Sequence, residues 1–548
     1  MAKRSGSFKF KNTDQIGAAG AEEDEFLTNC FVDTGYVEIL ENLKDHRQIV
    51  LGRTGSGKSA LLIMFAAYKQ DHVITISPEA LALTYVSNST ILGFFGNLGV
   101  NLDPFFKLLW RHVLTIEILS HYFFKHEPGK KSSFRERIRN MFSSNSRKDQ
   151  EIQEALDYLE TWGKGFWKET EYRVKEITRT VENNLDAEIE AALGGKYAKV
   201  EGKLSSRDFL TEEKKAHLVD RGQDIINRAQ VKDLQKILVL LSSVLEDRQK
   251  AYYLLIDALD ENWVEESLRY KLIMALIQNA RDFIKVKNAK LIVALRRDLI
   301  ERVFRITRES GFQEEKYQSF YLPLTWSKAQ ILEVLDRRIN QLVKRAYTKG
   351  PVGHRDIFPA KYKKQNISDF IFKIAPRPRD VIAFFNACIH AAENQPNIGT
   401  QALRAAEGEY SRTRLRALGD EWSGDYPTLL EFAKILQRRN ESFKIETIED
   451  SKLADLCLSV AAENPKGRGI LQQFAMQVAD CVIDIPAFKI ALIQIFYRVG
   501  LVGLKLQPHE TVSMVDETGK AISSGEIIQN TSVVVFPPYR RALGIEEK

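Results

Sequence analysis

Gly52-Arg53-Thr54-Gly55-Ser56-Gly57-Lys58-Ser59 reads GRTGSGKS and satisfies the pattern G-x-x-x-x-G-K-[ST] without a substitution. Gln48 to Leu51, just before it, is apolar enough for a short buried strand, and Ser59 to Tyr68, just after it, has the composition of an apolar helix. A glycine-rich turn with no ligand is the rival reading, but it does not call for that strand-loop-helix setting. Gly55 and Gly57 can take backbone conformations closed to residues with a Cβ, which lets successive N–H groups converge on phosphate oxygens at the start of a helix. Lys58 then brings a mobile charge to the β and γ phosphates, and the Ser59 hydroxyl suits Mg²⁺. The candidate nucleotide-binding set is Gly52, Thr54, Gly55, Ser56, Gly57, Lys58, Ser59 and Ala60.

A phosphate loop needs a second strand ending in a carboxylate. "AYYLLIDALDENW" offers one: Tyr252 to Ile256 is apolar and Asp257 follows, placed to reach Mg²⁺ through water. Asp260 or Glu261, in the loop beyond, is the candidate for orienting the attacking water. The plainer alternative makes these two the acidic cap of a helix starting near Trp263. Further strands are expected at His72 to Ser77, Lys290 to Arg296 and Ser319 to Leu324, alternating with helices, which means a parallel sheet covered on both faces.

Ligands of such sheets lie at the strands' carboxyl ends, so Arg296 becomes a candidate γ-phosphate sensor, ahead of Arg297. "APRPRDVIAFFNACIHAA" puts Arg377 and Arg379 at the start of an amphipathic helix stiffened by Pro376 and Pro378. A helical lid whose Arg379 reaches the nucleotide is one use of it; an ordinary helix N-terminus is the other.

The 548 residues are too many for one core. Boundaries read as 1–124 and 236–327 for the two parts of the sheet domain, 125–235 for a charged helical insertion, 328–422 for a helical lid and 423–548 for a tail. In the insertion, Val174, Ile177, Val181, Leu185, Ile189 and Leu193 form one apolar stripe, best paired with a neighbouring helix, and Pro128 to Gln150 reads as a basic, serine-rich arm. The tail reads as short helices followed by a hairpin with a long polar tip, a winged-helix-like arrangement. Its recognition helix, Ala487 to Val499, carries only Lys489 and Arg498 as basic groups, which disfavours major-groove reading.

With 44% hydrophobic and 28% charged residues and a net charge of +6, the composition is that of a soluble globular chain, and the charge alone does not point to nucleic acid. Cys30, Cys388, Cys457 and Cys481 lie far apart in apolar surroundings, which suggests buried thiols and a cytoplasmic location. The first fifteen residues are basic and polar, unlike a secretory signal, and the apolar run Ser89 to Trp110 is broken by glycines, Asp103 and Pro104, so no membrane span is expected.

Together GRTGSGKS, LLIDALDE, LIVALRRD, APRPRDVI and the winged-helix-like tail resemble the bacterial STAND and KAP-type P-loop ATPases, in particular ATPases related to antiphage defence genes. The D-x-L-D-E spacing at Asp257 to Glu261 is similar to that of the NACHT branch. The resemblance covers residues 20–400, with the tail matched by architecture only. It implies an α/β fold of the ASCE P-loop NTPase type, with ATP and Mg²⁺ as cofactors and ATP hydrolysis as a slow regulatory activity. It also implies homo-oligomers whose assembly follows nucleotide state. Guanine nucleotide is disfavoured because no N-K-x-D motif follows the core. No repeat array, membrane segment, or nuclease, TIR-like or protease constellation is visible, so an effector would be a separate protein.

The leading expectation is therefore an ATPase switch controlling such an effector, with Arg302, Arg305 or Arg308 completing a neighbour's site. A DNA-binding ATPase resembling initiators or transposition regulators is the alternative. A scaffold that binds ATP without hydrolysing it is the third.

Overall fold

The computed structural model describes residues 8–78, 101–124, 251–307 except 262 and 265, 313–344, 351–463, 469–507, 509–514 and 522–545, with a few isolated positions between 179 and 245. The stripe and the basic arm expected in the insertion lie outside the described residues. The chain divides into two compact units. One comprises Asp33–Thr54 and Lys58–Leu324; the other comprises Met1–Val32, the bend Gly55–Gly57 and Thr325–Lys548.

The first unit is built on a five-stranded, all-parallel sheet of order β2-β3-β4-β1-β5, with β1 Ile49–Gly52, β2 Val73–Ile76, β3 Tyr252–Ile256, β4 Ala289–Arg296 and β5 Tyr321–Pro323. The central strands are buried almost throughout, as expected of continuous apolar runs covered on both faces; edge strands β2 and β5 are only half covered. Helices α1 Lys58–Tyr68, α2 Asp103–Phe124, α3 Glu266–Phe283 and α4 Arg297–Thr307 belong to this unit. Packing of α2 on α3 is fixed by the Trp110 indole N–H, which donates to the Leu272 carbonyl at 2.8 Å, and by edge contact of Trp110 with Trp263. Leu254 and Leu291, fully buried in this core, should each cost about 2–5 kcal/mol on truncation to alanine.

Strand register sets up the site. Gly52 lies abreast of Arg296, and Ile256, the residue before Asp257, lies abreast of Val293. The carboxyl ends of β1, β3 and β4 therefore bring Gly52, Asp257 and Arg296 side by side.

In the second unit, α5 Lys328–Lys344, α6 Ile367–Ile374, α7 Pro378–Ala391 and α8 Thr400–Glu421 enclose a core that also takes in the chain's beginning. Phe10, from a stretch that reads as polar, is fully buried against Phe385 and hydrogen-bonds through its backbone to Asn394 and Gln395. Arg338 donates to Asp24 and to the Ile16 carbonyl, fastening residues 16–24 to α5. A two-stranded hairpin, β6 Lys361–Tyr362 and β7 Gln365–Asn366, precedes α6.

Toward the C-terminus come α9 Asp450–Glu463, α10 Ile470–Ala479 and α11 Ile485–Val499, with an antiparallel sheet of order β8-β10-β9: β8 Ser442–Lys444, β9 Val502–Lys505 and β10 Ser532–Val535. The α11 N-terminus is capped by Asp484, whose carboxylate accepts from Ala487 N–H at 2.7 Å. Gly500 ends the helix in the left-handed region at φ 77°. Of the cysteines, three are buried as expected, but Cys481 is exposed. It occupies a left-handed position, φ 58°, in the turn after α10, and the apolar residues flanking it in sequence do not enclose it. Among the described residues no helix is long and apolar enough to cross a membrane.

Candidate functional site

Gly55 and Gly57 adopt φ 79° and 92°, the left-handed region that glycine reaches without strain. Gly55 has a second constraint: an added Cβ would lie 2.8 Å from the Arg379 Cβ, and Arg379 N–H donates to the Gly55 carbonyl at 3.3 Å. Arg379 thus packs on the bend, with its Nε donating to the Ala19 carbonyl. Trp326, unnoticed in the sequence, donates from its indole N–H to the Ser56 carbonyl at 2.8 Å. The Ser56 side chain is 4% exposed, yet its Oγ has no hydrogen-bond partner among the described residues.

Lys58 opens α1, and its ammonium donates to the Gly52 and Arg53 carbonyls, each at 3.2 Å. Burial holds its pKa below the ordinary lysine value, opposed by the carboxylates of Asp260 and Asp257. Asp257 is pushed the other way by burial, above the ordinary aspartate value, while hydrogen bonds from the Ser59 hydroxyl and Ala258 N–H pull it down. Burial thus penalises both charges of this pair. Phosphates beside Lys58 and a divalent cation beside Ser59 and Asp257 would favour the charged forms, so the donor set suits magnesium and a polyphosphate. Ala258 sits at φ 57°, a strained position for a residue with a Cβ, and it re-aims the chain directly after Asp257.

Asp260 and Glu261 do not cap the next helix, which begins at Glu266; their carbonyls instead accept from Arg269. Arg296 is gripped by Asp298 through two hydrogen bonds of 3.0 and 2.7 Å and reaches Asp260 at 3.2 Å. This fork, invisible in the sequence, ties the end of β4 to the loop after β3. Of the arginines on α4, Arg302 hydrogen-bonds to Tyr270, Arg305 is exposed, and Arg308 lies outside the described residues. Arg377 pairs with buried Asp380, which also pairs with Arg414, so it braces α7.

The helical unit holds one constellation that sequence reading missed. His354 contacts Asp336 through Nδ1 and Ser368 through Nε2, both at 2.8 Å. These are the residue types of a hydrolytic triad, but His354 and Ser368 are each only 4% exposed. A nucleophile must meet its substrate, so this network is read as a staple joining α5, the turn at His354 and α6.

The all-parallel five-stranded sheet with its helices places the chain in the mixed α/β class. Residues 329–419, which include most of α5 to α8, match the model of the FunZ-associated C-terminal helical domain. The chain is also similar to a protein of Escherichia coli (strain K12) described as "Putative transposon gamma-delta 80.3 kDa protein". The two are 22% identical over 558 residues, covering 98% of this chain and 68% of that protein.

Proposed function

We propose that this chain is a magnesium-dependent ATPase of the P-loop class, acting as a switch whose nucleotide state governs its self-association and its hold on a separate partner. The observation that carries the reading is the meeting of the Ser59 hydroxyl with the Asp257 carboxylate, beside Lys58, at the carboxyl ends of β1 and β3. The strand order, with the loop-bearing strand between β4 and β5, supports the ASCE branch expected from the sequence.

When bound, magnesium ATP supplies the phosphoanhydride and the divalent charge. Ser59 and Asp257 would hold the metal, Asp257 through water, and Lys58 with the loop N–H groups would hold the phosphates. Asp260 or Glu261 would orient the attacking water and accept its proton. Arg296, by its grip on Asp260, links the sensor position to that carboxylate. Arg305 is the best placed of the α4 arginines to meet a second copy, because it is exposed. A role in antiphage defence, through a separate effector, is the output that the STAND-like and KAP-like resemblance suggests.

A second reading, an ATPase acting on DNA in the manner of transposition regulators, is favoured by the similarity along almost the whole chain to a protein described as belonging to a transposon. The C-terminal helices and sheet support a winged-helix assignment, since β8-β10-β9 with α11 just before β9 follows that layout. Lys489 of α11 is buried, however, and bonds to the Ile448 carbonyl and Asp450, so it is not available to a major groove.

The test is ATP turnover by the purified chain with magnesium, compared with Lys58→Ala. Loss of turnover in the variant is expected; full turnover by the variant would end the proposal.

A further inference from the structure

The β6–β7 hairpin turns through Lys363 and Lys364, at φ 47° and 62°. Two consecutive left-handed residues make the tight turn that Asn-Gly or Gly-Gly fills with least strain, and two lysines there are held against their conformational preference. Lys363 is anchored by Glu407 on α8 at 2.5 Å, and the Tyr362 hydroxyl donates to the same carboxylate at 3.1 Å. The hairpin is therefore rigidly seated. Its neighbours Lys361 and Lys364 are exposed, with no ion-pair partner among the described residues.

Two arginines extend this charge. Arg404 lies one turn before Glu407 on α8 and is exposed. Ser411, one turn after Glu407, accepts from Ala542 N–H at 2.9 Å, which brings Arg541 to the same face. Both arginines are near enough to act on the Tyr362 hydroxyl. Glu407, the acid at the centre, is buried and already engaged by Lys363 and Tyr362. Four cations from three chain segments thus gather around the hairpin, and none of them forms an ion pair among the described residues.

We propose that Lys361, Lys364, Arg404 and Arg541 form a binding surface for the phosphodiester backbone of nucleic acid. A protein partner would be expected to meet an apolar centre, and a membrane would need apolar side chains to insert. None of the large apolar side chains exposed among the described residues falls between positions 351 and 428 or after Ile528, so the hairpin, α8 and the segment at Arg541 present cations without a large exposed apolar side chain, which suits a phosphate backbone. The proposal would supply the DNA-acting reading with a contact, and it stands independently of the nucleotide site.

The test is fluorescence anisotropy of a labelled 30-base-pair DNA duplex titrated with the full chain, without ATP, from 50 to 200 mM KCl. With about four phosphates neutralised, affinity should fall on the order of a hundredfold across that range. The triple variant Lys361→Ala, Lys364→Ala, Arg404→Ala should lose most of that salt slope and at least about tenfold in affinity at 50 mM. Lys364→Gly should weaken binding while raising the thermal midpoint, because glycine takes the turn without strain; this separates lost contact from lost folding. Lys58→Ala should bind as the parent does, which distinguishes failure here from failure of the ATPase reading. An RNA duplex in parallel reports which backbone is preferred, and binding of either supports the surface. Absence of duplex binding at 50 mM KCl, an unchanged salt slope in the triple variant, or binding only to polyglutamate or phosphatidylserine vesicles would overturn it.

Discussion

Lys58 and Lys489 are both lysines withdrawn from water, and their surroundings differ in a way that separates a candidate site from a scaffold. Around Lys489 the ammonium meets the Ile448 carbonyl and Asp450, on a helix whose apolar side chains fill the C-terminal core. Around Lys58 the ammonium rests on the carbonyls of its own loop, with two aspartates near, a strained Ala258 behind Asp257 and, in the adjoining bend, a buried Ser56 hydroxyl lacking a partner. A strained residue and an unsatisfied polar atom in this part of the chain motivate the hypothesis of a site there.

The comparison breaks most sharply at Lys58. Lys58→Ala or Asp257→Asn should lower the ATP turnover rate about 100-fold or more, a loss of about 3 kcal/mol in transition-state stabilisation, read by a phosphate-release assay. Gly55→Ala comes next. The positive φ and the clash with Arg379 should cost about 2–3 kcal/mol in denaturant unfolding, and nucleotide affinity should fall with it.

Glu117 on α2 provides a buried charge that serves neither role. Burial pushes its carboxyl from the ordinary 4.5 up to about 7. The folded state then binds more protons than the unfolded state between these values, so stability should fall by about 2–3 kcal/mol as pH rises from 4.5 to 7. Glu117→Gln should remove that part of the pH dependence in thermal melts and leave ATP turnover at pH 8 unaltered. The smallest effect belongs to Lys489→Met, which should cost about 1 kcal/mol for one lost hydrogen bond, because Asp450 stays solvated, and should not change nucleotide binding.

The sheet was largely legible in the sequence because parallel strands covered on both faces are uninterrupted apolar runs, and each ends at a residue that stops the run: Gly52, Asp257 or Arg296. The glycines of the bend were legible for a similar reason, since their positions follow from backbone geometry alone. Strand β8 was not, because three residues are too few to show alternation. Phe10 was hidden by its polar neighbours in sequence, although it fills the helical core. The Arg296–Asp298–Asp260 fork depends on β3 lying beside β4, and the seating of the bend on Trp326 and Arg379 joins residues about 270 and 324 positions apart; no local pattern encodes either. The residues at the strand ends could be read one motif at a time, but the side chains packed around them could not.

The most direct measurement is calorimetric titration of magnesium ATP into the full-length chain and into Lys58→Ala. Saturable heat from the parent, abolished in the variant and when magnesium is chelated, is the predicted result. No heat from the parent at millimolar nucleotide, or equal heat from both proteins, would contradict it.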